Sequence, residues 1–284
     1  MQDESAIQNL CLHTHNIFCD GKQDINVLIK QAVNQKVAQI GISSHAPIKI
    51  TNKWSMDIDK LDFYTSEIAE LKKVYKSKIE IFTALEIDFI PHLSYPFDYF
   101  RRKMKLDYTI GSIHLVKHPS KEELWFIDGD KKTSINNMQR IFDGDVRLAV
   151  QSFYVQSREM IRTQKPDIIG HMDKVIMNTA GLFDVNEPWY QEEIDKTLNE
   201  ILKQNVIVEV NTRGIYKGKW KESFPSFKIL EQCCEMGIPI TISSDAHHSD
   251  ELLLAYPEMR QKLKEIGFKS LKGLINNKWG NFPI

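Results

Sequence analysis

The chain is poor in the features that would set it apart from ordinary globular proteins. Only four of its 284 residues are cysteine: Cys11, Cys19, Cys233 and Cys234. None lies in a CxxC pair, so they read as reduced thiols of a cytoplasmic protein rather than as a disulfide framework. No stretch approaches the roughly 18 apolar residues of a membrane span. The opening MQDESAIQNL has neither a positive n-region nor an apolar h-region, so no secretory signal is expected. Neither charge dominates: 37 Lys and Arg stand against 38 Asp and Glu, a net −1, which argues against a nucleic-acid-binding face. Repeats, low-complexity tracts and linkers are missing too. A chain that is 42% hydrophobic and 26% charged, with none of these, is expected to form one globular domain over 1–284.

What the sequence does contain is an alternation. Short apolar runs at Leu10–Thr14, Ala38–Ser43, Ile79–Glu86, Asp107–Ser112, Asp167–Gly170, Val206–Asn211 and Pro239–Ser244 read as strands. Helical periodicity separates them, opened by Asp24, by Asp57 or Asp59, by Pro188 and by Pro225. Strands joined by helices imply βαβ units and a parallel sheet, and seven units point to a closed α/β barrel. Leu115–Asp145 breaks the alternation. This long segment follows the fourth strand and contains Pro119, Gly129, Gly144, Trp125 and Phe126, so it is expected to be a lid or wall over the barrel mouth.

Barrel enzymes carry their chemistry at the C-terminal ends of the strands. His13 and His15 end the first strand two residues apart, so both face one side. Asp20 follows in a short loop. His45 ends the second strand, Glu86 the third, His114 the fourth and His171 the fifth; Asp245 and His247 end the seventh. Six of the nine histidines thus fall just after a strand, a placement that packing does not explain. His92, His118 and His248 do not share it and read as surface or supporting residues. Asp88 shares a face with Glu86 and either orients a ligand or is solvated. Nitrogen and oxygen donors without thiolate suit Zn, Fe or Mn. Nine donors exceed what one ion needs. They suit two or three ions bridged by a carboxylate such as Glu86, with a shared water losing its proton near neutral pH to become the nucleophile.

The motifs HTH, SSHAP, LEID, GSIH, GHMD and SDAHH, in this order, resemble the PHP (polymerase and histidinol phosphatase) superfamily, and within it the monofunctional histidinol-phosphate phosphatases. The resemblance implies a distorted (β/α)7 TIM-like barrel with a trinuclear site. One ion would take His13, His15, Glu86 and Asp245; a second would share Glu86 and take His114 and His171; a third would take Asp20, His45 and His247. Many members have His where this chain has Asp20. A harder carboxylate there would favour Fe or Mn over Zn. The implied reaction is hydrolysis of L-histidinol phosphate in histidine biosynthesis.

A phosphate ester also calls for fixed cations, and the planar fork of arginine matches phosphate oxygens. Arg213, at the end of the sixth strand, and Arg158, on the helix expected over Val146–Thr163, are the candidates; Lys174 and Lys217 are lesser ones. Asp245, His247 or a metal-bound water would protonate the leaving group, with Glu86 holding the ions. Trp125, Phe126 and Asp128 would suit a flat cationic imidazole-amine, or would simply pack the lid. The competing readings are a related phosphoesterase acting on a nucleotide or sugar phosphate, a non-catalytic accessory module and an amidohydrolase. The only partner expected is a small-molecule ester.

Overall fold

The computed structural model describes residues 8–284. The first seven residues of the opening MQDESAIQNL lie outside the described residues. Seven strands form one parallel sheet in chain order: β1 (Asn9–Cys11), β2 (Val37–Ile42), β3 (Glu80–Asp88), β4 (Tyr108–Ser112), β5 (Ile168–Ile169), β6 (Ile207–Asn211) and β7 (Ile240–Ser243). Each lies within three residues of its expected bounds. Beyond the strand ends, a parallel bridge between Thr14 and Ala246 brings β1 and β7 together, with His15 N–H donating to Ala246 O at 2.8 Å. The sheet is therefore a nearly closed barrel. Along the rest of that seam Tyr256 intervenes: its hydroxyl lies 3.0 Å from Leu10 O and 3.4 Å from Ile242 O.

Helices wrap the outside because each has one apolar stripe. Ile25–Asn34 buries Ile25, Leu28, Ile29 and Ala32, an i, i+3, i+4, i+7 face. Pro188–Gln204 carries its proline in the first turn, where a missing N–H costs nothing. Val146–Gln164 begins at Asp145, whose carboxylate accepts the Leu148 N–H at 2.9 Å.

Two regions hold elements that the strand–helix alternation does not announce. Leu115–Asp145 is not irregular. An antiparallel hairpin pairs Leu115–Lys117 with Leu124–Phe126, and helix Lys131–Ile141 follows, capped by Asp130. Neighbours in a strand face opposite ways, so Trp125 and Phe126 part company. Trp125 is fully buried, its indole N–H donating to Ser134 O at 3.0 Å, while Phe126 faces the barrel mouth. The second region is the C-terminus. Helix Tyr256–Ile266 leads into a hairpin, Ser270–Ile275 with Lys278–Pro283, turned by Asn276 and Asn277 at φ 51° and 59°. Asparagine tolerates that left-handed turn better than most residues.

This hairpin closes the barrel floor. Leu274 packs among Leu12, Phe82, Ala84, Tyr108, Ile110, Ile168 and Ile207. The Gln39 side chain accepts the Leu274 N–H at 3.1 Å and donates back to Leu274 O. Leu274→Ala is expected to lower the unfolding free energy by about 2–5 kcal/mol in urea titration, since a buried leucine leaves a cavity. Its exposed neighbour Ile275, mutated to Ala, should change it by less than about 0.5 kcal/mol. Equal effects would show that the hairpin does not seal the floor.

Candidate metal centre

The mouth of the barrel holds a cavity of about 200 Å³ whose lining includes Asp20, His45, Glu86, His114, Asp245 and His247. All nine side chains singled out by sequence converge at this end of the barrel. Glu86 is their centre. Its Oε2 lies 3.1 Å from His13 Nε2, 3.4 Å from His15 Nε2 and 3.0 Å from His45 Nδ1; its Oε1 lies 2.9 Å from His171 Nε2 and 3.9 Å from His114 Nε2. One carboxylate thus divides its two oxygens between two sets of imidazoles. On the Oε2 side, His15 Nε2 is also 3.1 Å from Asp245 Oδ1 and 3.1 Å from His13 Nε2. Donors around a tetrahedral ion at about 2.0–2.1 Å sit roughly 3.3 Å apart, and most of this set has that spacing, with His13 Nε2 to Asp245 Oδ1 longer at 3.9 Å. Asp20 Oδ1 joins His247 Nε2 at 3.3 Å and His45 Nε2 at 3.8 Å in a further group, with the His15 ring 4.0 Å from that of His247.

Local backbone makes the convergence possible. His171 and Asp245 adopt positive φ, 26° and 52°, where most residues are strained by on the order of 1 kcal/mol or more. Gly170 precedes His171 because a Cβ there would meet Ser112 Oγ at 2.5 Å. That hydroxyl has a task of its own, donating to Glu86 Oε1 at 2.6 Å.

Behind the donors stand carboxylates that orient them. Asp88 accepts from His114 Nδ1 at 2.8 Å and from its backbone N–H at 2.9 Å, which decides the open question about this residue in favour of orientation. Glu209, on β6, accepts from His13 Nδ1 at 2.6 Å and from the His171 N–H at 2.9 Å. With Nδ1 donating to a carboxylate, Nε2 is the nitrogen that His13 and His114 can offer to an ion once it loses its proton. Asn211 donates to Glu209 at 3.0 Å and to Asp245 Oδ2 at 3.2 Å. Glu209 and Asn211 were not expected. Their signal is two polar residues at i and i+2 inside the apolar strand IVEVN.

Asp20, Glu86, Asp88, Glu209 and Asp245 put five carboxylates around one site, and all but Asp20 are buried. Burial alone would lower the pKa of His13, but Glu209, Glu86 and Asp245 drive it well above the ordinary histidine range. His114 is likewise raised to about 9 against its desolvation, chiefly by Asp88. His45, buried and near His15 and His114, falls to about 3 and is neutral. Protons on His13 and His114 answer the carboxylate charge that divalent cations would otherwise answer. Two buried polar atoms, Asp20 Oδ1 and His45 Nδ1, make no hydrogen bond. The donor set, its spacing and these atoms fit divalent transition metals.

Other expectations separate. Arg213 lines the cavity, its Nη1 donating to Asp245 O at 2.6 Å and to Tyr216 Oη at 3.2 Å. Lys174 lines it too, buried and 2.7 Å from Asp128 Oδ2. Arg158 does not belong there. It turns to the next helix, pairing with Glu193 at 2.7 Å and donating to Thr197 Oγ1 at 3.1 Å. Lys217 pairs with Glu251 away from the cavity lining. His92 is exposed and His248 half-buried, whereas His118 is buried and caps a turn by accepting the Ser120 and Lys121 N–H groups. Cys19 Sγ is 3.4 Å from His15 Nδ1. Trp54, also unexpected, lines the cavity and stacks on Phe126 at 5.2 Å. It sits in a loop whose sequence carries no signal for that position.

Comparison with known proteins gives a consistent answer. The PHP domain family profile matches residues 10–213. A Schizosaccharomyces pombe protein named probable histidinol-phosphatase is 24% identical over 96% of this chain and 89% of its own length. The Bacillus subtilis histidinol-phosphatase is 24% identical over 86% of this chain and 95% of its own. The crystal structure of histidinol phosphate phosphatase from Lactococcus lactis, complexed with zinc, L-histidinol and phosphate, superposes with a TM-score of 0.72 at 18% identity, covering 97% of this chain and all of that one.

Glu209→Gln is expected to weaken zinc binding by roughly 10–100-fold in a competition titration, because His13 loses the charge that orients it. Unchanged affinity would remove Glu209 from the centre.

Proposed function

The chain belongs to the PHP domain family, and we propose that it is a metal-dependent phosphomonoester hydrolase acting on L-histidinol phosphate. The observation that carries this reading is Glu86, which shares its two oxygens between separate imidazole sets on the floor of a cavity walled by Arg213 and Lys174. His13, His15, Glu86 and Asp245 would hold one ion, Glu86, His114 and His171 a second, and Asp20, His45 and His247 a third. The nitrogen and oxygen donors suit Zn, Fe or Mn. Such ions would supply Lewis acidity and make hydroxide available near neutral pH. The names of the relatives support histidinol phosphate as the ester.

The rest follows from the chain's own groups. Arg213 is anchored through Nη1 alone: its hydrogen bonds to Asp245 O and Tyr216 and its 3.5 Å contact with Glu251 all fall on that nitrogen. Its remaining donors are free to meet phosphoryl oxygens. Lys174, held by Asp128, adds a second positive charge where charge grows in the transition state. Asp245 or His247, both at the cavity wall, would relay a proton from the attacking water to the departing alkoxide of the alcohol. Asp88 and Glu209 keep His114 and His13 in one tautomer throughout. The C-terminal hairpin sealed into the barrel floor supports treating the whole chain as one such domain.

A turnover panel of L-histidinol phosphate, a nucleoside monophosphate, a sugar phosphate and p-nitrophenyl phosphate tests this. Histidinol phosphate should lead in kcat/KM by on the order of 100-fold. Activity should vanish on chelation and return with zinc or manganese. A nucleotide turned over as well as histidinol phosphate would overturn the substrate assignment, and activity that survives chelation would overturn the chemistry.

A further inference from the structure

The rim of the cavity has a chemistry of its own. Trp54, Phe126, Asp128 and Lys219 line it from segments outside the seven strands. Among the described residues four carboxylates face the cavity, and Asp128 is the one of these that belongs to no donor group. Lys174 Nζ holds its Oδ2 at 2.7 Å. Its Oδ1 is different. The neighbouring cation, Lys219 Nζ, is 3.9 Å away, beyond hydrogen-bond reach, and 25% of the Asp128 side chain is exposed. Burial would raise its pKa, but Lys174 and His114 hold it down to about 2, so the carboxylate is ionised at neutral pH. An anionic oxygen with unused lone pairs therefore faces the space next to the phosphate-binding cations. The stacked rings of Trp54 and Phe126, inclined by 23°, add a flat apolar wall on the same rim.

We infer that Asp128 is a specificity residue: its Oδ1 accepts the ammonium group of an aminoalkyl phosphate whose phosphate lies against Arg213 and Lys174. This rests on the phosphomonoesterase reading above and assigns the residue that reads the amine of the ester. Such a substrate carries opposite charges a few bonds apart. The Lys174–Asp128 pair presents the complementary charges in the same order, cation toward the phosphate and carboxylate toward the amine. A sugar or nucleotide ester brings a phosphate but no ammonium and leaves Oδ1 without this partner. A hydrogen bond between two charged groups in a partly closed site discriminates by roughly ten- to hundredfold.

The test is a cycle on the metal-loaded enzyme. kcat/KM is measured for L-histidinol phosphate and for the same ester with hydrogen in place of the amino group, using wild type and Asp128→Asn. The wild-type preference for the amine-bearing ester should be roughly ten- to hundredfold, and in Asp128→Asn it should shrink to within about threefold, the change falling on KM. Any general loss from freeing Lys174 of its counter-ion cancels in the ratio. Asp128→Ala removes the same charge and serves as a second variant should Asp128→Asn fail to fold. A wild-type ratio near one, or a preference that survives in the variants, would overturn the assignment of Asp128 while leaving phosphatase activity in place. Hydrolysis of neither ester would overturn the phosphatase reading and this inference with it.

Discussion

Glu86 is a carboxylate almost wholly removed from water, and removing a charge from water costs several kcal/mol unless partners replace the lost hydration. Here the replacement comes from five imidazoles and the Ser112 hydroxyl, gathered from four strand ends of the barrel. That requirement organises the mouth of the molecule. His13 and His114 approach Glu86 on one side of their rings and need Glu209 and Asp88 on the other. Glu209 in turn needs Asn211, Ser243 and the His171 backbone. The network spans β3, β4, β6 and β7, so the nearly closed sheet and the donor cluster depend on one another.

Such a cluster does little for stability by itself. Two of its members, His171 and Asp245, sit in left-handed backbone, and five carboxylates crowd one region. The offset lies elsewhere: an apolar ring of barrel residues, a floor closed by Leu274 and its hairpin, and outer helices with continuous buried faces. A rigid apolar body holding a strained polar end is the arrangement expected where binding geometry, not stability, sets the side chains.

The strand ends were legible in the sequence because two simple periods marked them. Apolar runs of strand length alternated with helical ones, and nearly every run ended in His, Glu or Asp. Period two placed His13 beside His15 without any structure. What was not legible depended on orientation or on contacts distant in sequence. Arg158 lies on a helix where charge alone cannot say which neighbour it meets, and it meets Glu193. Trp125 and Phe126 read as one aromatic pair, but adjacent strand residues face opposite sides, so only Phe126 reaches the cavity. Glu209 contacts a histidine 196 positions away. The C-terminal hairpin lacks the clean alternation of a two-faced strand, with Gly273 placed close to Gln39 and Leu10, and only the Asn276-Asn277 turn announces it.

A cavity built in two halves follows from this. The deeper half is an arrangement of donors that fits phosphate chemistry in general. The rim, supplied by connecting segments, faces whatever alcohol is attached, which lets the fold keep its centre while the ester changes. The central claim is that the nine converging side chains hold a cluster of ions. Inductively coupled plasma mass spectrometry on freshly purified, chelator-free protein measures it directly. About two to three equivalents of transition metal per chain are predicted. Fully active protein carrying well under one equivalent would contradict the account.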